Sequence, residues 1–313
     1  MFRSLDRWPA ILRVLRSSQV RARPRRHQRP ALRYLPPEQL EERLAPAVVT
    51  LTVRSLANSG GGTLRQAITK ADHAAAGKSY IINIVRPGTI TLKTALPDLK
   101  RNITINGLGA SNTTVRRDSR PATPSFRVFT VDAGKNVRIS GLTIAGGKAS
   151  GTGGGLDNSG TLTVSDCVFS SNSAFLGGGG LSNDGTVIVT GSTFTGNSAL
   201  FGGGGFLNGG TATVSGSTFT SNSAGGSGGL GGAGGGLDNS RALTVSDCVF
   251  SGNSAGGSRG AGGGLNNIGT ATVSDCVFSG NSTGGFGGGI SGLEGLIQSG
   301  NNFTGNSPDD FSH

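Results

Sequence analysis

The sequence predicts an all-β fold: a right-handed parallel β-helix with three short strands and about 25 residues per coil, an N-terminal capping α-helix and a disordered basic N-terminal tail. A phenylalanine recurs at intervals of 25, 25, 31, 28 and 25 residues, and an asparagine follows each one three residues later. Between these positions apolar and polar residues alternate with period two, without a 3.6-residue period. The pairs are Phe169 and Asn172, Phe194 and Asn197, Phe219 and Asn222, Phe250 and Asn253, Phe278 and Asn281, and Phe303 and Asn306.

Each repeat contains a fixed block that begins at the end of a glycine run, 13 residues before the phenylalanine. The first block, LDNSGTLTVSDCVFSSN over residues 156–172, reads as three short strands separated by turns rich in Asn, Gly, Asp and Ser. Parallel crossovers are nearly always right-handed, which gives the predicted hand. The blocks begin at Leu156, Leu181, Phe206, Leu237, Leu265 and Ile290.

Stacking of the coils places equivalent residues about 4.8 Å apart. The phenylalanines are therefore expected to form an internal stack of rings, and the asparagines that follow them a ladder of amides bonded along the axis. A second ladder is predicted after the glycine run, at Asn158, Asn183, Asn208, Asn239 and Asn267. We interpret both ladders as structural rather than as sugar or metal ligands, because every coil carries them. The glycine connection is six residues longer before Leu237 and three longer before Leu265, which predicts insertions that leave the stack intact.

A strand is expected from Val48, followed by a helix over residues 63–76. Thr63 and Gln66 form a capping-box pattern, and Gly77 is placed to stop the helix. A helix at this place is expected to cover the open end of the β-helix and protect its edge strands. Its apolar face is predicted at Leu64, Ala67, Ile68 and Ala71.

The charge is distributed very unevenly along the chain. The whole sequence has a net charge of +11 and a pI near 10.6. Residues 1–46 carry +7 and residues 47–149 carry +11, whereas residues 150–313 carry −7. The basic residues of the middle region are not interleaved with aromatic residues, so nucleic acid is not an expected partner. The predicted organisation is a basic segment (1–46) and a β-helix (47–313), divided into a cap with irregular coils (47–149) and regular repeats (150–313).

Residues 1–46 have too little apolar content and too much charge to form a core, and they are predicted to be disordered. Nothing in the sequence is apolar over a length that would span a membrane. The segment ends in LEERLAP, from Leu40 to Pro46. These residues resemble the LEDRLAP-type motif near the N-terminus of exported proteins of planctomycete-type bacteria, with Glu42 where Asp is common. The resemblance implies export.

The order of segments after Ala47 carries a second resemblance. The segments are a strand, the GGTLRQAI helix, PGTITL, LPDL, NITINGLGA, RVFTVDAG and ISGLTIAGG, in that order. This order resembles the β-helix region of exported bacterial choice-of-anchor Q domain proteins. The glycine-run and FxxN motifs are also similar to the repeats of chlamydial polymorphic outer membrane proteins. Both resemblances imply an extracellular or cell-surface location. The SPDDFSH segment after Asn306 has no apolar run, so no hydrophobic anchor is predicted there.

The reactive side chains show no pattern that predicts catalysis. Asp166, Asp247 and Asp275 share one slot that other coils fill with glycine, which indicates a turn rather than a catalytic pair. His27, His73 and His313 have no metal-ligand spacing. Catalytic, metal and cofactor-binding residues are therefore predicted to be absent.

The three cysteines, at positions 167, 248 and 276, all lie two residues before a phenylalanine and should point inward. Cys248 and Cys276 are stacked neighbours within reach of a disulfide. Buried thiols are the favoured interpretation, since parallel side chains make that bond awkward.

We expect a non-enzymatic, exported or cell-surface β-helix protein with a structural or adhesive role. The expected partner is a surface polysaccharide or another surface protein, with no choice made between them. The alternative is a polysaccharide-binding or polysaccharide-degrading β-helix whose site lies in the irregular coils, at residues 78–135. The residues expected to gather there are Arg86, Lys93, Arg116, Arg117, Asp118 and Arg127.

Overall fold

The computed structural model describes residues 47–73, 77–225, 231–292 and 295–312. Within these ranges the strands form four parallel sheets of ten, eight, nine and six strands. The chain winds through the sheets coil after coil, as the predicted parallel β-helix requires. The segment 1–46, with its predicted disorder and its LEERLAP motif, lies outside the described residues.

Sheets 1 and 2 hold the ten and the eight strands. Sheet 1 contains Val48–Val53, Ser79–Ile84, Ile103–Asn106, Asn136–Ser140, Thr161–Ser165, Thr186–Thr190, Thr211–Ser215, Ala242–Ser246, Thr270–Ser274 and Leu296–Ser299. Sheet 2 contains Phe129–Val131, Leu156–Asn158, Leu181–Asn183, Phe206–Asn208, Leu237–Asn239, Leu265–Asn267, Ile290–Gly292 and Phe311–Ser312.

Sheets 3 and 4 hold the nine and the six strands. Sheet 3 contains Gly88–Leu92, Thr113–Arg117, Thr143–Ala145, Val168–Ser170, Thr193–Thr195, Thr218–Thr220, Val249–Ser251, Val277–Ser279 and Asn302–Thr304. Sheet 4 contains Lys148–Ala149, Ser173–Ala174, Ser198–Ala199, Ser223–Ala224, Ser254–Ala255 and Ser282–Thr283.

A regular coil runs from sheet 2 through sheets 1 and 3 to sheet 4, and a glycine run returns it to sheet 2. In the coil that begins at Leu156, the three strands expected from the repeat block are present. A further strand, Ser173–Ala174, follows the block. The sequence does not indicate this strand, because two residues are too few to show an alternating pattern. In the irregular coils, the strand Thr113–Arg117 is also an addition to the sequence-based expectation.

The phenylalanine stack has the predicted register. Consecutive rings from Phe169 to Phe278 have centroids 4.7 Å apart and planes within 5° of parallel. At the end of the stack, Phe278 and Phe303 are 5.1 Å apart. Ile144 occupies the same slot one coil before Phe169, so the apolar column continues beyond the first ring.

The longer glycine connections do not disturb this register. Ala224 pairs with Ala199 in sheet 4, and Ala233 forms a bridge with Gly202 in the glycine run. The six additional residues of this coil therefore lie between Ala224 and Ala233. Beyond them Phe250 pairs directly with Phe219, although 31 residues separate the two. The register of the coils is therefore the same before and after the insertion.

The helix Leu64–Asp72 follows the first strand of sheet 1. The Thr63 side chain accepts a hydrogen bond from the Gln66 backbone N–H at 3.2 Å, as the capping-box pattern predicts. The Gln66 side chain accepts from the Gly62 N–H at 2.8 Å. His73 is the C-cap, so the helix ends four residues before its predicted end at residue 76. Residues 74–76 lie outside the described part of the chain.

The helix packs on the first coils and closes the hydrophobic core at its N-terminal side. All four residues of the predicted apolar face, including Leu64 and Ile68, are buried in one cluster with the coil interior. The Arg65 guanidinium donates to the carbonyls of Thr94 and Ala95. These contacts fix the helix to the coil that follows it, in agreement with the predicted capping role.

Candidate functional site

The asparagine ladder beside the phenylalanine stack uses all of its hydrogen-bonding groups internally. The Asn197 amide nitrogen donates to Asn222 Oδ1 and to the Phe169 carbonyl, both at 2.9 Å. The same Asn222 oxygen accepts the Asn197 backbone N–H at 3.0 Å. Both amide hydrogens of Asn197 are therefore used, which leaves it no donor for a ligand. The same geometry recurs at Asn172, Asn222, Asn253 and Asn281.

The second asparagine ladder follows the glycine runs and is equally buried. Each amide nitrogen donates to the Oδ1 atom of the next coil, at 2.6 Å from Asn158 and 2.8 Å from Asn183. It also donates to a carbonyl two residues ahead in its own turn, as from Asn158 to Gly160. The ladder ends at Asn267, because the next coil has Gly292 in this slot. Both ladders hold turns together, and all of their asparagines except the half-buried Asn306 are buried.

A third ladder, which the sequence did not reveal, runs through the cysteine slot. The Cys248 thiol donates to the Ser246 carbonyl at 3.1 Å and accepts the Ser217 backbone N–H at 3.4 Å. In the same way, the Ser192 hydroxyl donates to the Thr190 carbonyl and accepts the Cys167 backbone N–H. Serine and cysteine can replace one another in this slot because each can donate one hydrogen bond and accept another.

The three cysteines are free and buried, as the favoured interpretation holds. Burial raises the pKa of the Cys167 thiol to about 11. The hydrogen bond with Cys276, together with burial, raises the pKa of the Cys248 thiol well above its ordinary range. Cys167 and Cys248 are therefore poor nucleophiles, because the thiolate is the reactive form.

The shared aspartate slot is a corner between sheets 1 and 3 in which the backbone is left-handed. Asp166, Asp247 and Asp275 have φ angles of 52°, 54° and 53°, and Gly191 and Gly216 both have 54°. Asp and Gly are among the residues that enter this conformation most readily, which explains the composition of the slot. The aspartates are exposed. The backbone requirement accounts for these residues without a catalytic role.

Two carboxylates on the outer side of sheet 2 have distinct surroundings. The Asp157 carboxylate accepts a hydrogen bond from the Arg127 guanidinium at 2.5 Å and another from the Thr152 hydroxyl at 3.2 Å. Burial raises the pKa of Asp157, and the positive charge of Arg127 opposes that effect. Asp238 accepts a hydrogen bond from the Asn266 amide at 2.8 Å, and burial raises its pKa. On the other side of Asp238, a Cβ at Gly202 would lie 2.5 Å from its Oδ2 atom, so the carboxyl is closely packed.

The basic group predicted for the irregular coils forms only in part. Thr91 and Leu92 pair with Arg116 and Arg117, so Lys93 and Asp118 follow at the same corner. Arg117 donates to the Pro124 carbonyl at 2.7 Å and lies over the Phe126 ring, which fixes the loop after Asp118.

Asp118 pairs with Arg120, and the hydrogen bonds from that side chain hold the pKa of Asp118 below its usual range. Arg127 is engaged by Asp157, and Arg86 lies before the strand Gly88–Leu92, at the opposite end from Lys93. The expectation that all six residues gather at one site is therefore wrong, because successive turns carry them to different corners.

A different group of basic residues does gather, at the corner where the irregular coils enter sheet 1. Tyr80 pairs with Ile103, and Ile103 pairs with Val137. Lys78, Arg101 and Lys135 each lie two residues before one of these paired positions. They therefore occupy the same slot on three successive coils. These residues line a cavity of about 270 Å³. The remaining lining residues are Gly77, Ser79, Lys100, Asn102 and Gly134.

Among the described residues, no group of three or more His, Cys, Asp or Glu side chains is arranged to hold a metal ion. The helix Leu64–Asp72 is too short and too polar to cross a bilayer, and the described part of the chain contains no other candidate span.

Two solved structures resemble the chain at low sequence identity. ORF18 of Geobacillus virus E2 is 12% identical, with a TM-score of 0.39 over 81% of this chain. The chain spans 59% of the length of that viral protein. The A-module of the Azotobacter vinelandii mannuronan C-5 epimerase AlgE6 is 15% identical, with a TM-score of 0.32 over 82% of this chain and 94% of the epimerase module. No curated protein matches the sequence.

A family comparison covers more than half of the chain. The model of the right-handed beta helix region matches residues 127–308. This range contains the regular coils, the phenylalanine stack and all three ladders. The match agrees with the parallel sheets and with the predicted hand of the coil. The chain belongs to the right-handed β-helix family.

Proposed function

We propose that this protein is a non-enzymatic structural or adhesive element that acts outside the cell or on its surface. The observation that carries the proposal is the saturated asparagine ladder beside an unbroken ring stack, which makes the regular coils one continuous unit. The ten strands of sheet 1 give the stack a length of about 43 Å at about 4.8 Å per coil. A rod of this kind suits a spacer that presents its side faces for contact.

The outer face of sheet 1 supports a contact role rather than acid–base chemistry. Its regular strands place mostly hydroxyl side chains outward, with the exposed Ile188 and Ile297 among them. Such a face can form many weak contacts with a polar surface but contains no nucleophile activated by a base. The outward threonines include Thr161, Thr163, Thr186, Thr190, Thr211, Thr213, Thr244, Thr270 and Thr272.

The degrading alternative requires paired catalytic groups. Asp247 and Asp275 occupy adjacent coils, but both are exposed, and the left-handed backbone of their corner accounts for them. Arg241 lies before the strand Ala242–Ser246 and Asp247 follows it, about 20 Å away at about 3.3 Å per residue. Arg259 belongs to the glycine-rich connection. These positions favour the non-enzymatic role.

The surface location is supported by the sequence resemblances, in particular by LEERLAP at Leu40–Pro46. It is tested by fractionating a native-type host that expresses either the full chain or a chain beginning at Ala47. We expect the full chain outside the cytoplasm and the shorter chain inside it, with equal melting temperatures and circular dichroism. Equal export of both chains would remove the motif as a targeting signal and with it the main support for an extracellular role.

A further inference from the structure

The column of cations at the entry to sheet 1 is unexpected for a stack that only needs to fold. Lys78, Arg101 and Lys135 follow one another along the axis with backbones about 4.8 Å apart. Like charges placed opposite each other on neighbouring strands are destabilising. Most regular coils have glycine in this slot, as at Gly160 and Gly185, and one has Arg241, so the fold itself does not require a cation there.

The nearby carboxylates neutralise only part of the positive charge of this column. Lys100 Nζ lies 4.0 Å from Asp98 Oδ2. The Asp72 carboxylate accepts the Lys100 backbone N–H at 3.1 Å and is attracted to the charges of Lys100 and Arg101. In the described part of the chain, neither Lys78 nor Lys135 forms an ion pair with a carboxylate. The cavity therefore keeps an excess of positive charge that a bound anion would neutralise.

The cavity continues into a groove on the outer face of sheet 1. The groove shares Ser79 and Asn102 with the cavity and has a similar volume of about 270 Å³. Its lining adds the polar residues Thr104, Asn136 and Arg138, and also Val48, Tyr80, Ile81 and Ile103. Hydroxyl and amide groups can donate and accept hydrogen bonds, as sugar hydroxyls require, while the cations suit carboxylate or sulfate groups.

We propose that Lys78, Arg101 and Lys135 form a binding site for the charged groups of an acidic polysaccharide, whose chain continues along the groove towards Arg138. The proposal rests on the adhesive function proposed above and names its partner. The distribution of charge places the ligand: residues 47–149 carry +11 and residues 150–313 carry −7, so a polyanion is expected to bind at the first coils and not along the whole rod. The hydroxyl and amide groups of the groove favour a glycan over a nucleic acid or an anionic membrane.

The test is binding of the full chain to a polyuronate, a sulfated glycan and a neutral glucan of matched length. The site variant is Lys78→Gln with Lys135→Gln. The control variant is Lys93→Gln with Lys148→Gln, which removes the same charge from exposed positions that do not line the cavity. We expect the site variant to weaken binding to an acidic glycan about tenfold or more, and the control variant less than about twofold. Because the column repels itself, the melting temperature of the site variant should equal or exceed that of the unchanged chain.

Equal weakening by both variants would overturn the site, because it would show diffuse attraction rather than a defined cavity. Absence of binding to both acidic glycans, or tighter binding to duplex DNA or phosphatidylserine vesicles, would also overturn it. Binding to the neutral glucan alone would contradict this inference but would still agree with the adhesive role. Cleavage of a bound acidic glycan would contradict the non-enzymatic role and leave the site standing.

Discussion

Asn222 and Asn253 are 31 residues apart, yet they form the same contact as pairs separated by 25. The Asn222 amide nitrogen lies 2.9 Å from Asn253 Oδ1, and the Asn222 backbone nitrogen lies 3.0 Å from the same oxygen. Asn197 and Asn222 give 2.9 Å and 3.0 Å for the same two distances. The coil can therefore lengthen in its glycine-rich connection without any change in the hydrogen bonds of the asparagine ladder.

Replacing Asn222 or Asn253 by Ala should destabilise the protein by about 1–3 kcal/mol each, because buried turn groups lose their partners. The Asn222→Ala change leaves the Phe194 carbonyl and the Asn197 N–H without the bonds they make now. Thr213→Ala is the matched control, since Thr213 is exposed on sheet 1. Urea denaturation measures the difference. If both asparagine variants unfold at the same concentration as the control, the ladder does not stabilise the stack.

Phe219→Ala should be among the most damaging single changes, at about 3–5 kcal/mol, because it opens a cavity in the middle of the ring stack. Deletion of residues 226–231 should be nearly neutral, since loop length has only a weak effect on closure entropy. Thermal melting of the two variants gives the comparison. A larger loss from the deletion than from Phe219→Ala would contradict the register of the coils.

Cys248→Ser should change the free energy of unfolding by less than about 1 kcal/mol, because serine makes the same two bonds in neighbouring coils. Cys248→Ala should cost about 1–3 kcal/mol, because the buried Ser217 N–H loses its acceptor. Chemical denaturation under reducing conditions separates the two variants. Equal stability of the Ser and Ala variants would show that the thiol acts as an apolar side chain only.

Asp238 should make the protein less stable as pH rises. Burial raises the pKa of its carboxyl in the folded state, so the folded chain holds a proton that the unfolded chain has already released. Its contribution to stability is therefore full below the unfolded pKa near 3.9 and is lost as pH rises through the folded pKa.

Asp238→Asn should remove this dependence and stabilise the protein at pH 7, by an amount on the order of 1 kcal/mol. Asp166→Asn is the control, because Asp166 is exposed and Asn also accepts its left-handed backbone. Melting temperatures from pH 4 to pH 8 test the prediction. A lower melting temperature for Asp238→Asn at pH 7 would show that the ionised carboxylate is stabilising.

The regular coils could be predicted from sequence because identical residues repeat in identical slots. Each Phe and Asn pair marks its own coil, so the register from Phe169 to Phe303 needed no other information. The cysteine ladder was missed for the opposite reason: its slot mixes Cys, Ser and Asn, which share hydrogen-bonding capacity but not hydropathy. The strand Ser173–Ala174 was missed because a two-residue strand has no period.

The irregular coils could not be read in the same way. Lys78, Arg101 and Lys135 are separated by 23 and 34 residues, so no fixed interval indicates that they share a slot. Only the pairing of the strands that follow them shows the alignment. For the same reason Arg127 was placed with Arg116, whereas the coil geometry brings it to Asp157 of the next coil.

The central claim, a β-helix that binds but does not cut, is tested most directly by incubating the purified full chain with a panel of glycans and measuring both retention and bond cleavage. We predict retention of at least one glycan without new reducing ends or unsaturated products. Reproducible cleavage that is lost in Asp247→Asn or Asp275→Asn would contradict the claim and would place catalysis at the corner between sheets 1 and 3.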